Sequence, residues 1–306
     1  MAPTYKMATS KLAAKKPTDV PPGKSKILIF GPSGVGKTWF AMSFPKPFYL
    51  DTERGATLPH YKKRLEEAGG GYIGTEGGTL DPEFVIGQME ALAQEEHPYQ
   101  TLVIDSITKL YQTIIANEAN RLGNADSFGA SKKPAIGFMR RLVMRAQRLD
   151  MNIVFVAQEI TEWGKGPGGQ REEVGKIPDV WDKLVYELDL GLQVFKRGPN
   201  RICQVHKSRL VGFPHASSFL LEEGGKDVGY KQFSDRYGKD YIEAAVTRVV
   251  LATDAQVGEI ERLLKVVPQP EDFISKTLDR AQATCWKELT TQQAQGTIDW
   301  LTKRIP

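Results

Sequence analysis

Cysteine and histidine are scarce in this chain of 306 residues, and their placement matters as much as their number. Cys203 and Cys285 lie far apart, and His60, His97, His206 and His215 show no ligand spacing. That pattern argues against a zinc site and a disulfide framework, and for reduced thiols in a cytoplasmic setting. No apolar run approaches the roughly 20 residues of a membrane span. The N-terminus has no apolar core of the signal-peptide kind. An excess of one charge is also missing from the body of the chain. Residues 1–24 hold five lysines against Asp19 alone, which accounts for the whole net charge of +4; the rest holds 36 basic and 36 acidic residues. A global field drawing the folded body onto nucleic acid is therefore excluded, and any DNA contact has to come from local patches.

What is present reads as an α/β protein. Residues 1–24 are rich in Lys, Pro, Ala and Thr and are expected to form a disordered basic tail. Short apolar runs follow at Ile27–Phe30, Phe48–Leu50, Leu102–Ile104 and Ile153–Ala157, the signature of buried parallel strands. Helical stretches separate them, at about 82–95, 107–121 and 136–149, which predicts βαβ units over 25–250. Strand-like runs at Leu188–Phe195 and Arg201–His206 flank Gly198-Pro199-Asn200 and predict an antiparallel hairpin added to the sheet. Residues 222–243 give no clear pattern. Residues 251–306 read as a small helical module. Thr253 with Gln256 and Thr290 with Gln293 are capping boxes ahead of apolar residues at helical spacing, and a third helix is expected around Glu271–Ala281.

The chemistry begins at Gly31-Pro32-Ser33-Gly34-Val35-Gly36-Lys37-Thr38, a full match to G-x-x-x-x-G-K-[ST] after a buried strand and before a helical stretch. Such a loop turns backbone N–H groups toward phosphates, and the following helix adds its positive end. Lys37 is the expected β/γ-phosphate contact and Thr38 the expected Mg²⁺ ligand of bound ATP. The strand Thr101–Asp105 ends in an acid, expected beside the loop, which makes Asp105 the second metal-side candidate. The strand from Phe48 ends in Asp51-Thr52-Glu53, and Glu53 is placed to orient or deprotonate the attacking water. Gln158 ends the strand Ile153–Ala157, where it can report the γ-phosphate to the segment behind it. That segment, 159–182, reads as a long Gly-rich loop carrying Trp163, Lys165, Arg171 and Lys176. Such a loop suits single-stranded DNA or is simply a solvated one. Lys207 and Arg209 alternate by two, as either a basic strand edge or a pair of cations aimed at a neighbouring subunit's phosphate.

The order of these motifs resembles the RecA-type core ATPases. More closely, it is similar to the phage RecA-like proteins of single-strand annealing and recombination. The resemblance covers about residues 25–221. It implies that Glu53 activates water, that Gln158 couples ATP state to a second DNA-binding loop at 159–178, and that Lys207 and Arg209 act across a subunit interface. It also implies a first DNA-binding loop at Leu122–Pro134, with Asn124, Ser127, Lys132 and Lys133. The expected partners are single-stranded DNA, further copies of the chain in a ring or filament, and a single-strand DNA-binding or annealing protein. The alternative is a P-loop ATPase acting on proteins, such as a helicase loader or motor adaptor. A small-molecule kinase would need clustered lid arginines, and 159–178 has only Arg171. A GTPase would need N-K-x-D, which is missing. Gly168-Gly169-Gln170 resembles part of a transporter signature but follows the acid-ending strand instead of preceding it.

Overall fold

The computed structural model describes residues 23–123, 126, 129–166, 168–247, 250–281 and 283–305. The tail at 1–22 and the loop positions Asn124 and Ser127 lie outside the described residues. Lys24, counted with the tail on composition, is buried and donates to the carbonyls of Tyr241 (3.1 Å) and Ala244.

The elements in chain order are β1 (Lys26–Phe30), α1 (Lys37–Ala41), β2 (Pro47–Asp51), α2 (Pro59–Glu67), β3 (Gly71–Ile73), α3 (Pro82–Gln94), β4 (Thr101–Asp105), α4 (Ile107–Leu122), α5 (Lys132–Arg148) and β5 (Asn152–Ala157). Then come β6 (Glu159–Lys165), β7 (Arg171–Pro178), α6 (Leu184–Glu187), β8 (Leu190–Arg197), β9 (Asn200–Ser208), β10 (Ser218–Glu223) and β11 (Lys226–Asp227). The chain closes with α7 (Gly229–Tyr237), α8 (Lys239–Ile242), α9 (Asp254–Val266), α10 (Phe273–Ala281) and α11 (Thr291–Thr302).

Nine strands form one sheet in the order β11-β10-β9-β8-β1-β5-β4-β2-β3. The stretch from β3 to β8 is parallel, and β9 and β10 extend it antiparallel. This is the expected mostly parallel α/β core with an added hairpin. β1, β4 and β5 are apolar almost throughout because both faces are covered. Leu28 and Phe30 join the cluster under α3, α4 and α5, while Ile27 and Ile29 join the cluster under α1 and α7. Burying such a side chain contributes about 1.5–3 kcal/mol, so a polar substitution in these strands would be severe.

Caps define the helices that carry the site. Ser106 accepts from Lys109 N at the start of α4, and Asp81 accepts from Glu83 N ahead of Pro82 in α3. Both capping boxes expected near the C-terminus are present, on α9 and α11. The helices there enclose their own cluster of Ile260, Leu263, Leu289, Ala294 and Leu301. They meet the rest of the protein at Arg145 of α5, whose guanidinium pairs with Glu288 and with Glu90 at 3.2 Å. Among the described residues, no helix is long and apolar enough to cross a membrane.

Two expectations are corrected, and one unassigned stretch gains its elements. The segment 159–178 is not an open loop but a two-stranded antiparallel ribbon, β6 with β7, carrying a bulge. Its Gly content hid a period-2 pattern on either side of a Gly-Pro-Gly-Gly turn. Lys132 and Lys133 belong to the first turn of α5 rather than to a loop. Pro134 is tolerated there because first-turn N–H groups lack intrahelical partners. The unassigned stretch 222–243 is the end of β10, β11 and the helices α7 and α8.

Candidate functional site

β1 delivers the chain to the glycine loop at the C-terminal edge of the parallel strands. Gly31 (φ +151°), Gly34 (φ +73°) and Gly36 (φ +100°) bend it into a cradle. A Cβ on Gly31 would lie 2.2 Å from the carbonyl oxygen of Val194, so the loop can press against β8 only with glycine there. Gly36 is similarly walled by the Arg201 guanidinium, at 3.2 Å from a would-be Cβ. Arg201 is held in turn by Glu222 at 3.0 Å.

The helix after the loop is shorter than expected: α1 has five residues and ends ahead of Pro45. Its dipole is correspondingly weak, leaving loop amides and Lys37 as the main electropositive groups. The Lys37 ammonium donates to the carbonyls of Gly31 and Pro32, both at 2.7 Å. Burial lowers its pKa, against the opposing pull of Asp105, Glu53 and Glu159.

Asp105 ends β4, which β5 separates from β1, and its carboxylate stands beside the loop as expected. Thr38 reaches it, Oγ1 to Oδ2 at 2.6 Å, and Tyr49 of β2 donates to the same oxygen at 2.5 Å. Burial raises the Asp105 pKa, and these two donors partly offset that. The same carboxylate and its own burial hold the Tyr49 hydroxyl well above its ordinary pKa, so it remains a donor.

Asp51 pairs in register with Asp105 across β2 and β4. It is buried and accepts from the backbone N–H of Glu53 (2.9 Å) and Ala56 (2.8 Å), which fixes the turn that aims Glu53. The Glu53 carboxylate accepts from Ser106 Oγ at 2.5 Å and Gln158 Nε2 at 2.8 Å. Thr52 links the same two strand ends, its Oγ1 accepting from Ser106 N at 2.8 Å. One cavity of about 250 Å³ is therefore lined by Gly31, Gly34, Gly36, Lys37, Thr38, Glu53 and Gln158, with Tyr61 and Glu159 completing the wall.

Sequence reasoning missed Tyr49, Ser106, Tyr61, Glu159 and Arg201. The last has one signal in the sequence, as the cation following the hairpin turn. The others carry no motif of their own. Among the described residues, no group of three His, Cys, Asp or Glu could hold a metal. The hydroxyl–carboxylate pair Thr38–Asp105 has the hard oxygen chemistry that Mg²⁺ accepts when phosphates and water complete the shell.

The ribbon leaves the sheet directly behind Gln158. Thr161 faces Lys176, Trp163 faces Glu173 and Lys165 faces Arg171, so alternation puts all of these on one side. Arg171 lies over the Trp163 ring at 4.7 Å, and Lys176 bonds Thr161 and Glu173, each at 2.8 Å. The four residues singled out in that segment are thus gathered on one face. Lys132 and Lys133 are exposed on α5. Lys207 and Arg209 are elsewhere: β9 runs against β8, so Ser208 lies level with Ile27, at the sheet end opposite the glycine loop. They donate to the carbonyls of Leu188 and Tyr186.

Comparison with known proteins fits this geometry. No curated protein matches the chain. A crystal structure of the RadB recombinase is similar at 16% identity and a TM-score of 0.41, covering 65% of this chain and 88% of that one; a likeness this low carries no functional weight. A family model described as an AAA domain matches residues 23–212, more than half of the chain. With its glycine loop and acid-tipped parallel strands, the chain belongs to the AAA domain family of P-loop ATPases.

Proposed function

We propose that this ATPase binds single-stranded DNA and promotes annealing or homologous recombination, in the manner of phage RecA-like proteins. The observation that carries the reading is the Gln158–Glu53 bond of 2.8 Å at the foot of the ribbon. It joins the catalytic pocket to the one face that gathers Trp163, Lys165, Arg171 and Lys176. Aromatic rings with interleaved cations suit stacked bases and a phosphate backbone.

In this mechanism the amides of Gly31–Thr38 and the Lys37 ammonium hold the triphosphate. Mg²⁺ on Thr38 and Asp105 would supply charge neutralisation of the phosphate oxygens. Glu53, oriented by Ser106 and by the Asp51 turn, aligns a water and takes its proton. Gln158 is pulled between Glu53 and the γ-phosphate, and its displacement moves the ribbon. Lys207 and Arg209 act on a neighbouring copy. Their position at the far sheet end suits head-to-tail packing, in a ring or filament.

A second reading, action on a protein partner, draws on the charge of the whole ribbon: four glutamates against three cations over 159–178. ATPase rate with and without single-stranded DNA decides between them, with Lys37→Ala as the reference for lost turnover. Stimulation of the wild type, lost in Trp163→Ala, is expected. No stimulation and no DNA retention would favour the protein partner.

A further inference from the structure

Away from the nucleotide pocket, α10 and α11 leave a groove of about 320 Å³ between them. Its base is apolar: Leu289 is fully buried below, and Phe273 and Trp300 stack with ring centroids at 4.4 Å. Arg280 stands at the rim, and Arg304 lies over the Trp300 ring at 3.7 Å. Among the described residues, neither arginine has a carboxylate within ion-pair distance. Several of the module's acids are already engaged. Glu288 pairs with Arg145, Asp272 with Lys276, Glu259 with Arg262, and Asp299 accepts from Gln295. Among the described residues, Arg280 is the only charged residue lining the groove, and Arg304 flanks its Trp300, so positive charge borders the aromatic floor.

One wall of the groove is bare backbone. Gly296 sits inside α11, exposed, with nothing within 4 Å of where its Cβ would be. No packing contact requires glycine there, and glycine weakens a helix interior relative to alanine. Its bare backbone leaves that wall open to solvent.

We propose that this groove binds an acidic peptide segment bearing one aromatic or large apolar side chain, supplied by a protein partner. The apolar side chain would lie on Phe273 and Trp300, and its flanking carboxylates would pair with Arg280 and Arg304. A nucleic-acid strand is the poorer occupant. Residues 251–306 carry seven Lys and Arg against eight Asp and Glu, and two free cations neutralise too little of a phosphate chain.

The test uses the full chain and a fluorescein-labelled peptide of four aspartates followed by phenylalanine, read by fluorescence anisotropy. A peptide with lysines in place of the aspartates and a nine-nucleotide thymidine strand are the comparators. The acidic peptide alone should bind through this groove. Arg280→Glu should weaken it about tenfold or more, and Gly296→Leu should do the same by filling the wall. Gly296→Leu should not lower the melting temperature, since leucine is the better helix former. Failure of the acidic peptide to bind, equal binding of the lysine peptide, or unchanged affinity in both variants would overturn the proposal. So would loss of thymidine-strand binding in Gly296→Leu, which would assign the groove to DNA.

Discussion

Replacing Tyr49 by phenylalanine removes one hydroxyl and leaves the ring in place. That hydroxyl donates to Asp105 Oδ2 at 2.5 Å between two side chains that are 1% and 9% exposed. A hydrogen bond to a charged group contributes about 1.5–3 kcal/mol, and Thr38 remains as the other donor, so the lower half of that range applies. Loss of that donor to the charged form should push the already raised Asp105 pKa further up. Burial has already raised it, so the folded state holds this proton to higher pH than the unfolded chain does. Stability therefore falls as pH rises through that window, and the penalty is complete above it. Tyr49→Phe enlarges the penalty only where Asp105 is ionised. The variant should be about 1–2 kcal/mol less stable than wild type by urea denaturation at pH 7.5, with the gap closing toward pH 4. The acidic limb of the ATPase pH profile should move to higher pH in parallel. An equal loss of stability at both pH values would mean that the hydroxyl acts through packing, and an unmoved acidic limb would detach Asp105 from turnover.

Glu53→Gln should retain ATP binding in an equilibrium titration while turnover drops about 10²–10⁴-fold; normal hydrolysis would remove Glu53 from the chemistry. Gly36→Ala places a side chain at φ +100° against Arg201, which should cost about 1–2 kcal/mol in thermal denaturation and weaken nucleotide binding. Wild-type behaviour there would argue against the cradle. Lys26, which donates to the carbonyls of Leu149 and Met151 at 2.6 Å, has its pKa lowered by burial to about 7. Between that value and the ordinary 10.5, the unfolded chain binds more protons than the folded one. Wild type should therefore gain stability relative to Lys26→Met as pH rises from 7 to about 10, and a flat difference would contradict the shift. Glu288→Gln leaves the Arg145 guanidinium, 8% exposed, with Glu90 alone, and should raise protease sensitivity across residues 251–306.

Contiguous motifs were legible in the sequence, and residues that act by depth were not. Gly31–Thr38 is read from spacing alone, and Asp105 and Glu53 from apolar strands that end in acids. Tyr49 is hidden inside such a strand, because its contact depends on which face of β2 looks toward α1. Ser106 looks like a helix cap and is one, yet its hydroxyl also touches Glu53. Strand order was the other blind spot. Nothing local says that β5 lies between β1 and β4, or that β8 pairs parallel with β1 before the hairpin turns. The ribbon was misread because five glycines outweighed the alternating pattern around them. The capping boxes of α9 and α11 succeeded because a cap is satisfied within four residues and needs no tertiary partner.

The ribbon's attachment has a mechanical consequence. Seven strand residues at about 3.3 Å each make an arm of about 23 Å that starts behind Gln158 and touches solvent along most of its length. Tilting such an arm by about 10° sweeps its end through about 4 Å, several times any shift of the amide at its root. Small displacements near the glycine loop are thereby magnified where the ribbon ends.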